Sequence, residues 1–167
     1  KVNSQKPIAM VLWLSALIGL IFQAPILARN VQFERITTED GLSQENVTDM
    51  VQDIKGYMWF GTQEGLNRYD GYAFKHYEHN IGDPDSIADD WIWSLLIDHN
   101  GQLWAGTNSG GLSRYDEARE VFINYLHDVK DPGSISSNQV RFVFEDSQNI
   151  LWIGTNDGGL NRLQAET

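Results

Sequence analysis

Asp53, Asp98 and Asp146 occupy matching places in the chain, each six residues before a tryptophan. A calcium ion wants six or more oxygens converging in one loop, and each of these turns offers one or two. The aspartates suit an Asx turn better, accepting backbone N–H groups two or more residues on. Arg68, Arg114 and Arg162 recur with the same regularity. They could meet an acidic ligand, but a position repeated once per unit fits a structural hydrogen bond or salt bridge. His76 and His79 are three apart, on opposite faces of a strand; His99 lies in a turn and His127 near the edge of a unit. That spacing builds no metal site. The stretch Asp89-Asp90-Trp91-Ile92-Trp93 is of another kind. Acids beside aromatics, where a loop enters a strand, can accept sugar hydroxyls and stack on a sugar ring; the same residues can equally pack the fold. Asp89, Asp90, Trp91 and Trp93 are therefore the candidate ligand-binding residues. No Ser/His/Asp grouping occurs in suggestive context, and adjacent acids say nothing about a glycosidase-type separation. No catalytic residue, metal or cofactor is expected.

The remaining composition bounds the function. The 167 residues are 41% hydrophobic and 21% charged, with six tryptophans and no cysteine. The last excludes disulfides, thiolate zinc sites and cysteine nucleophiles. The formal net charge is −11; without residues 1–28, which hold Lys1 and Lys6 and no acid, 10 basic residues face 23 acidic ones, or −13. Such a surface repels phosphate backbones, so no nucleic-acid partner is expected.

Lys1 and Lys6 precede an apolar run, Ile8 to Phe22, followed by Gln23-Ala24-Pro25-Ile26-Leu27-Ala28. This is the layout of an export signal: basic start, apolar centre, small residue at the cut. Cleavage is placed after Ala28, with Ala24 the alternative. The run is short of the ~20 residues a bilayer needs, which favours a cleaved signal over an uncleaved anchor. Either way the rest of the chain is expected outside the cytoplasm.

An internal repeat sets the fold. Tyr57-Met58-Trp59-Phe60-Gly61-Thr62 returns as Gln102-Leu103-Trp104-Ala105-Gly106-Thr107 and as Ile150-Leu151-Trp152-Ile153-Gly154-Thr155, with tryptophan spacings of 45 and 48. Each copy continues into Gly-Leu-x-Arg: Gly65-Leu66-Asn67-Arg68, Gly111-Leu112-Ser113-Arg114, Gly159-Leu160-Asn161-Arg162. Each unit reads as four short strands, in the second unit 92–98, 102–107, 111–115 and 121–125. Glycine is expected at positive φ in the turns 53–56 and 98–101, and again in Asn108-Ser109-Gly110 and Asn156-Asp157-Gly158. Four antiparallel strands repeating at this period describe the blades of an all-β propeller. The tryptophan should pack between blades, and the glycine after it should let neighbouring backbone approach. Trp59, Gly61, Thr62, Trp104, Gly106, Thr107, Trp152, Gly154 and Thr155 are the structural repeat positions. The Gly-Thr pairs are no phosphate cradle, since no glycine-rich turn runs from a strand into a helix.

The expected organisation is a signal peptide (1–28), a lead-in segment with an orphan strand (29–45), blade 1 (46–81), blade 2 (82–129) and an incomplete blade 3 (130–167). Val31–Ile36 resembles a fourth strand placed before any complete blade, so it should belong to the closing blade. The chain starts at Lys1 and stops at Thr167 in mid-pattern. A ring needs at least four blades, which predicts a fragment of a longer protein whose remaining blades are its first partners.

The pattern D-x-x-G-x-[LM]-W-[FIA]-G-T, then G-L-x-R-Y-D, then D-P-x-S-I, resembles the two-component regulator propeller repeat. Phe33-Glu34-Arg35-Ile36-Thr37-Thr38-Glu39-Asp40-Gly41-Leu42-Ser43 resembles the usual start of those sensor domains. The likeness covers roughly residues 31–163; Asn149 in place of Gly and Leu163 in place of Tyr depart from it. It implies a periplasmic sensor propeller on a membrane-anchored receptor at the inner membrane, with a histidine kinase or diguanylate cyclase output beyond these residues. It also implies a small-molecule or oligosaccharide ligand and a homodimeric full-length receptor. The alternatives are a propeller-type glycan lyase or hydrolase, with its catalytic groups in other blades, and a non-catalytic scaffold.

Overall fold

The turn aspartates organise the chain locally. Asp98 Oδ1 accepts from the backbone N–H of Asn100 and of Gln102, both at 2.9 Å. Asp53 does the same for Lys55 and Tyr57, and Asp146 for Gln148 and Ile150. Each loop then reverses through a left-handed residue: Gly56 (φ 90), Gly101 (φ 78) and Asn149 (φ 62). Asparagine replaces glycine there because it tolerates that region better than other side chains.

The computed structural model describes residues 31–163; the signal segment, the cut at Ala28 and residues 164–167 lie outside them. Three antiparallel meanders follow one another. The first contains β1 (Asp49–Gln52), β2 (Met58–Gly61), β3 (Leu66–Tyr69) and β4 (Phe74–Tyr77). The second contains β5 (Ile92–Ile97), β6 (Leu103–Thr107), β7 (Leu112–Asp116) and β8 (Val121–Tyr125). The third contains β9 (Val140–Glu145), β10 (Leu151–Thr155) and β11 (Leu160–Arg162). These are propeller blades, and the expected strands of the second unit agree with β5–β8 to within a residue at each end. Residues 31–37 form no strand among the described residues; a short 3-10 turn, Thr38–Asp40, follows.

The second hairpin of each blade departs from expectation. Positive φ falls on Gly65, Gly111 and Gly159, the first residue of each Gly-Leu-x-Arg, and not on Gly110 or Gly158. Those two have another reason to lack a side chain. A Cβ on Gly110 would stand 2.6 Å from the backbone of Ala88, and one on Gly158 would stand 2.6 Å from Ser136 Oγ. The loop leading into each blade passes directly against its own hairpin.

Packing occurs between blades. Trp59 and Leu66 of the first blade, with Val51 and Tyr77 at their margin, meet Leu95, Leu103, Ala105, Tyr115 and Phe122 of the second. Ile87, from the Asp-Pro loop, is fully buried in the same seam. Trp104 and Leu112 in turn meet Val140, Val143, Leu151 and Ile153 of the third. Two of the repeat tryptophans meet a tyrosine of their own outer strand, Trp59 stacked on Tyr77 at 5.5 Å and Trp104 tilted on Tyr125 at 5.8 Å. A side chain of this size buries about 200 Å², contributing at most about 5 kcal/mol. The seams, not the single sheets, carry the stability. The outward face of the third blade presents Phe142, Phe144 and Leu160, all more than 60% exposed.

The glycine after each tryptophan makes room for a side chain more than for backbone. A Cβ on Gly61 would lie 2.8 Å from Ile92 Cγ2, and one on Gly106 would lie 2.6 Å from Val140 Cγ1. The first residue of the next blade's inner strand, β-branched in both cases, presses against the bare Cα.

Candidate functional site

The four candidate residues sit where the chain enters β5. Asp89 Oδ2 accepts from the N–H and the hydroxyl of Ser109 at 2.6 and 2.7 Å, and its Oδ1 accepts from Trp91 N–H. Asp90 Oδ1 accepts from His79 N–H at 2.6 Å, while its carbonyl accepts from Gly65 N–H. Asn138 repeats the second arrangement one blade later, with His127 N–H and Gly111 N–H. Both aspartate side chains thus hold loops together. His79 and His127 pin the Asp-Pro loops, their Nδ1 atoms 2.9 and 2.7 Å from the carbonyls of Ile87 and Ile135.

The aromatic pair is arranged differently. In β5 the pairing with β6 slips between Ile92 and Ser94, which leaves Trp93 as the extra residue of a bulge. In β9 the slip against β10 leaves Arg141 as the extra residue. A bulge re-aims the residue that drops out of the ladder, and here two successive bulges bring their residues together. The Arg141 guanidinium carbon lies 4.0 Å from the centre of the Trp93 ring. Trp91 stacks on Trp93 at 5.1 Å with the planes 28° apart. Trp93 thus has both Trp91 and Arg141 against its ring, and its Nε1 donates to Asn108 Oδ1 at 3.2 Å. Trp91 Nε1 is shielded from solvent and has no acceptor. Arg141 and Asn108 were not among the sequence candidates; aligning the units in phase, with Thr48, Trp93 and Arg141 at one register, is the signal that points to Arg141.

The repeat positions form a second, structural constellation. Trp59, Trp104 and Trp152 each donate Nε1 to the carboxylate six residues earlier, Asp53, Asp98 or Asp146, at 2.8–2.9 Å. Thr62, Thr107 and Thr155 each donate to the carbonyl of the following left-handed glycine at 2.9 Å. Arg68 lies over Tyr57 and Trp59, and Arg114 over Trp104, while Arg162 pairs opposite Trp152 in the ladder. His76 Nε2 sits 2.7 Å from Gly41 O.

At the other end of the sheets, clefts of about 340 and 360 Å³ open over the tryptophans of the two seams. Lys55 bridges the first to Glu117 at 2.6 Å, and His99 closes the second on Glu145 at 2.5 Å. Tyr77 and Tyr115 share a hydrogen bond beside Trp59, and burial pushes both phenols above the ordinary tyrosine range. Neither ionises near neutrality, so neither serves as a base. Among the described residues no three His, Cys, Asp or Glu side chains converge for a metal, and no helix is long and apolar enough to cross a membrane.

Inter-blade tryptophans, indole-capped Asp turns and threonine-locked hairpins define a β-propeller built from one repeated motif. The model of the two component regulator propeller matches residues 41–64, 86–109 and 134–157, so the chain carries three copies of that repeat. Histidine kinase P4 of Formosa agariphila is 48% identical over 59 residues, 35% of this chain and 4% of the kinase. Among solved structures, an extracellular domain described as that of the hybrid two component system BT3049 from B. thetaiotaomicron superposes with a TM-score of 0.74. It is 31% identical, and the match covers 79% of this chain and 19% of that one. The extracellular domain of BT4673 from the same organism gives 0.63 at 28% identity, over 80% of this chain and 18% of that one. The chain thus spans less than a fifth of each of these relatives.

Proposed function

We propose that this chain is part of an extracytoplasmic, ligand-sensing propeller of a bacterial membrane receptor. The receptor sits in the inner membrane with the propeller on its periplasmic face, acts as a homodimer, and drives a histidine kinase or diguanylate cyclase output. Three in-phase repeats of the two component regulator propeller carry this reading. The likeness to the extracellular domain of a hybrid two component system supports it. A small molecule or oligosaccharide that binds one arrangement of the propeller better than another shifts the receptor by that difference in affinity. The chain's own part is recognition; its seam tyrosines and turn aspartates are committed to structure.

The test is deletion of the propeller from the full-length receptor. Loss of the transcriptional or phosphotransfer response to ligand is expected. An unchanged response overturns the proposal.

A further inference from the structure

We infer that the Arg141–Trp93–Trp91 stack is a binding point for an acidic saccharide, a sugar carrying a carboxylate or a sulfate ester. This rests on the ligand-sensing reading and names the chemistry of its ligand. The first observation is the paired bulges. Successive blades each drop one residue from the inner ladder at the same register, and those residues, Trp93 and Arg141, stack across the seam. In the first blade the same register holds Thr48, whose hydroxyl donates to the carbonyl of Ile92 and simply ties the blades together. The second and third blades give up that tie for an aromatic ring and a guanidinium.

The second observation is what those groups leave unmade. The Arg141 guanidinium has no hydrogen bond or ion pair among the described residues. Stacking occupies its face and leaves the edge N–H groups, the fork that meets an oxyanion in two parallel bonds. The indole N–H of Trp91, buried without an acceptor, is a second unmet donor in the same stack, and such orphans in native folds call for an explanation. The acids closest in sequence do not answer either group: Asp89 is taken by Ser109, and Asp90 by His79. In a chain of formal charge −11 the Arg141 guanidinium is a cation with no ion pair among the described residues, and it selects against neutral sugars by leaving that charge uncompensated.

The experiment titrates the intact protein with trigalacturonate, with a sulfated carrageenan tetrasaccharide and with maltotriose, read by calorimetry and tryptophan emission. At least one acidic probe binds, perturbs the emission and weakens with added salt; maltotriose binds at least tenfold more weakly. Arg141→Gln lowers acidic-probe affinity at least tenfold. Arg141→Lys, which keeps the charge and loses the fork, falls between and serves if the glutamine variant does not fold. Which acidic probe binds separates carboxylate from sulfate. Failure of both to bind, equal binding of maltotriose, or unchanged affinity in both Arg141 variants overturns the inference. The receptor reading falls separately, on an unchanged response after propeller deletion.

Discussion

Trp104 donates its indole N–H to Asp98 Oδ2 at 2.9 Å while the other oxygen of the same carboxylate closes the turn onto Asn100 and Gln102. One side chain thus fixes both the hairpin that delivers β6 and the orientation of the tryptophan that fills the seam. The same geometry at Asp53–Trp59 and Asp146–Trp152 makes it the device by which each blade presents its anchor to the next.

Asp98→Ala removes three accepted hydrogen bonds and leaves the indole N–H of a 4% exposed tryptophan without a partner. A loss of about 2–3 kcal/mol is expected, seen as a lower urea midpoint with the tryptophan emission altered. A midpoint unchanged to within experimental error would show that the turn, and not the carboxylate, holds Trp104.

The glycine following the tryptophan gives a sharper contrast. Gly106→Ala places a methyl 2.6 Å from Val140 Cγ1, whereas at Gly154 the nearest atom is Phe142 Cβ at 3.6 Å. The first substitution should cost about 1–3 kcal/mol as overpacking; the second should cost clearly less. Combining Gly106→Ala with Val140→Ala tests the mechanism, because the double variant should lose less than the sum of the singles. Strict additivity would place the strain elsewhere.

How much of this was legible depends on whether a residue acts within its own hairpin. Asp98, Gly101 and the strands around them follow from local turn chemistry and a 45-residue period. The hairpin glycines were misjudged by one position because Gly110 and Gly158 look like turn residues, yet are small for the sake of Ala88 and Ser136. The neighbour of Gly106 turned out to be the Val140 side chain, which depends on how blades dock and not on either strand alone. Asp89 and Asp90 read as ligand acids because their partners, Ser109 and His79, lie 20 and 11 residues away. Nothing local marks Arg141 as a bulge, and its partner Trp93 belongs to another blade; only the in-phase alignment of the units sets the two at one register.

Acid should weaken the third blade's turn. The Trp152 indole N–H, and then the backbone N–H of Ile150, hold the Asp146 carboxyl below its ordinary value. A depressed folded-state value stabilises the fold at pH above the unfolded carboxylate's ~3.9, and that stabilisation is lost as pH falls through the folded value. Between neutrality and about pH 5 this stabilisation is fully present and constant, so the melting temperature should not vary with pH on account of this group. Below about pH 4 the wild type should lose stability faster than Asp146→Asn, which has no charge to lose. Parallel curves for the two proteins down to pH 2.5 would remove Asp146 from the acid response.

Ser94 joins the second blade to the third, its Oγ accepting the buried N–H of Val143 at 3.2 Å across 49 residues of sequence. Asp49 Oδ2 makes the equivalent bond to Leu95 N–H at 2.7 Å one seam earlier. These are ladder amides of β5 and β9 whose acceptor belongs to a different sheet, so each seam has a side-chain-to-amide fixing point inside its apolar packing. Ser94→Ala leaves the Val143 N–H buried and unsatisfied, at about 1–3 kcal/mol. It does so without disturbing the hydrophobic cluster of the seam. The effect should be local: hydrogen exchange at the Val143 amide should accelerate well beyond that of Leu151 and Ile153 in the adjoining strand. In the same protein, exchange at Leu95, held by Asp49, should stay at its wild-type rate. Uniform acceleration through all three blades would mean that the seams open together, and that Ser94 contributes to global stability and not to the docking of one blade.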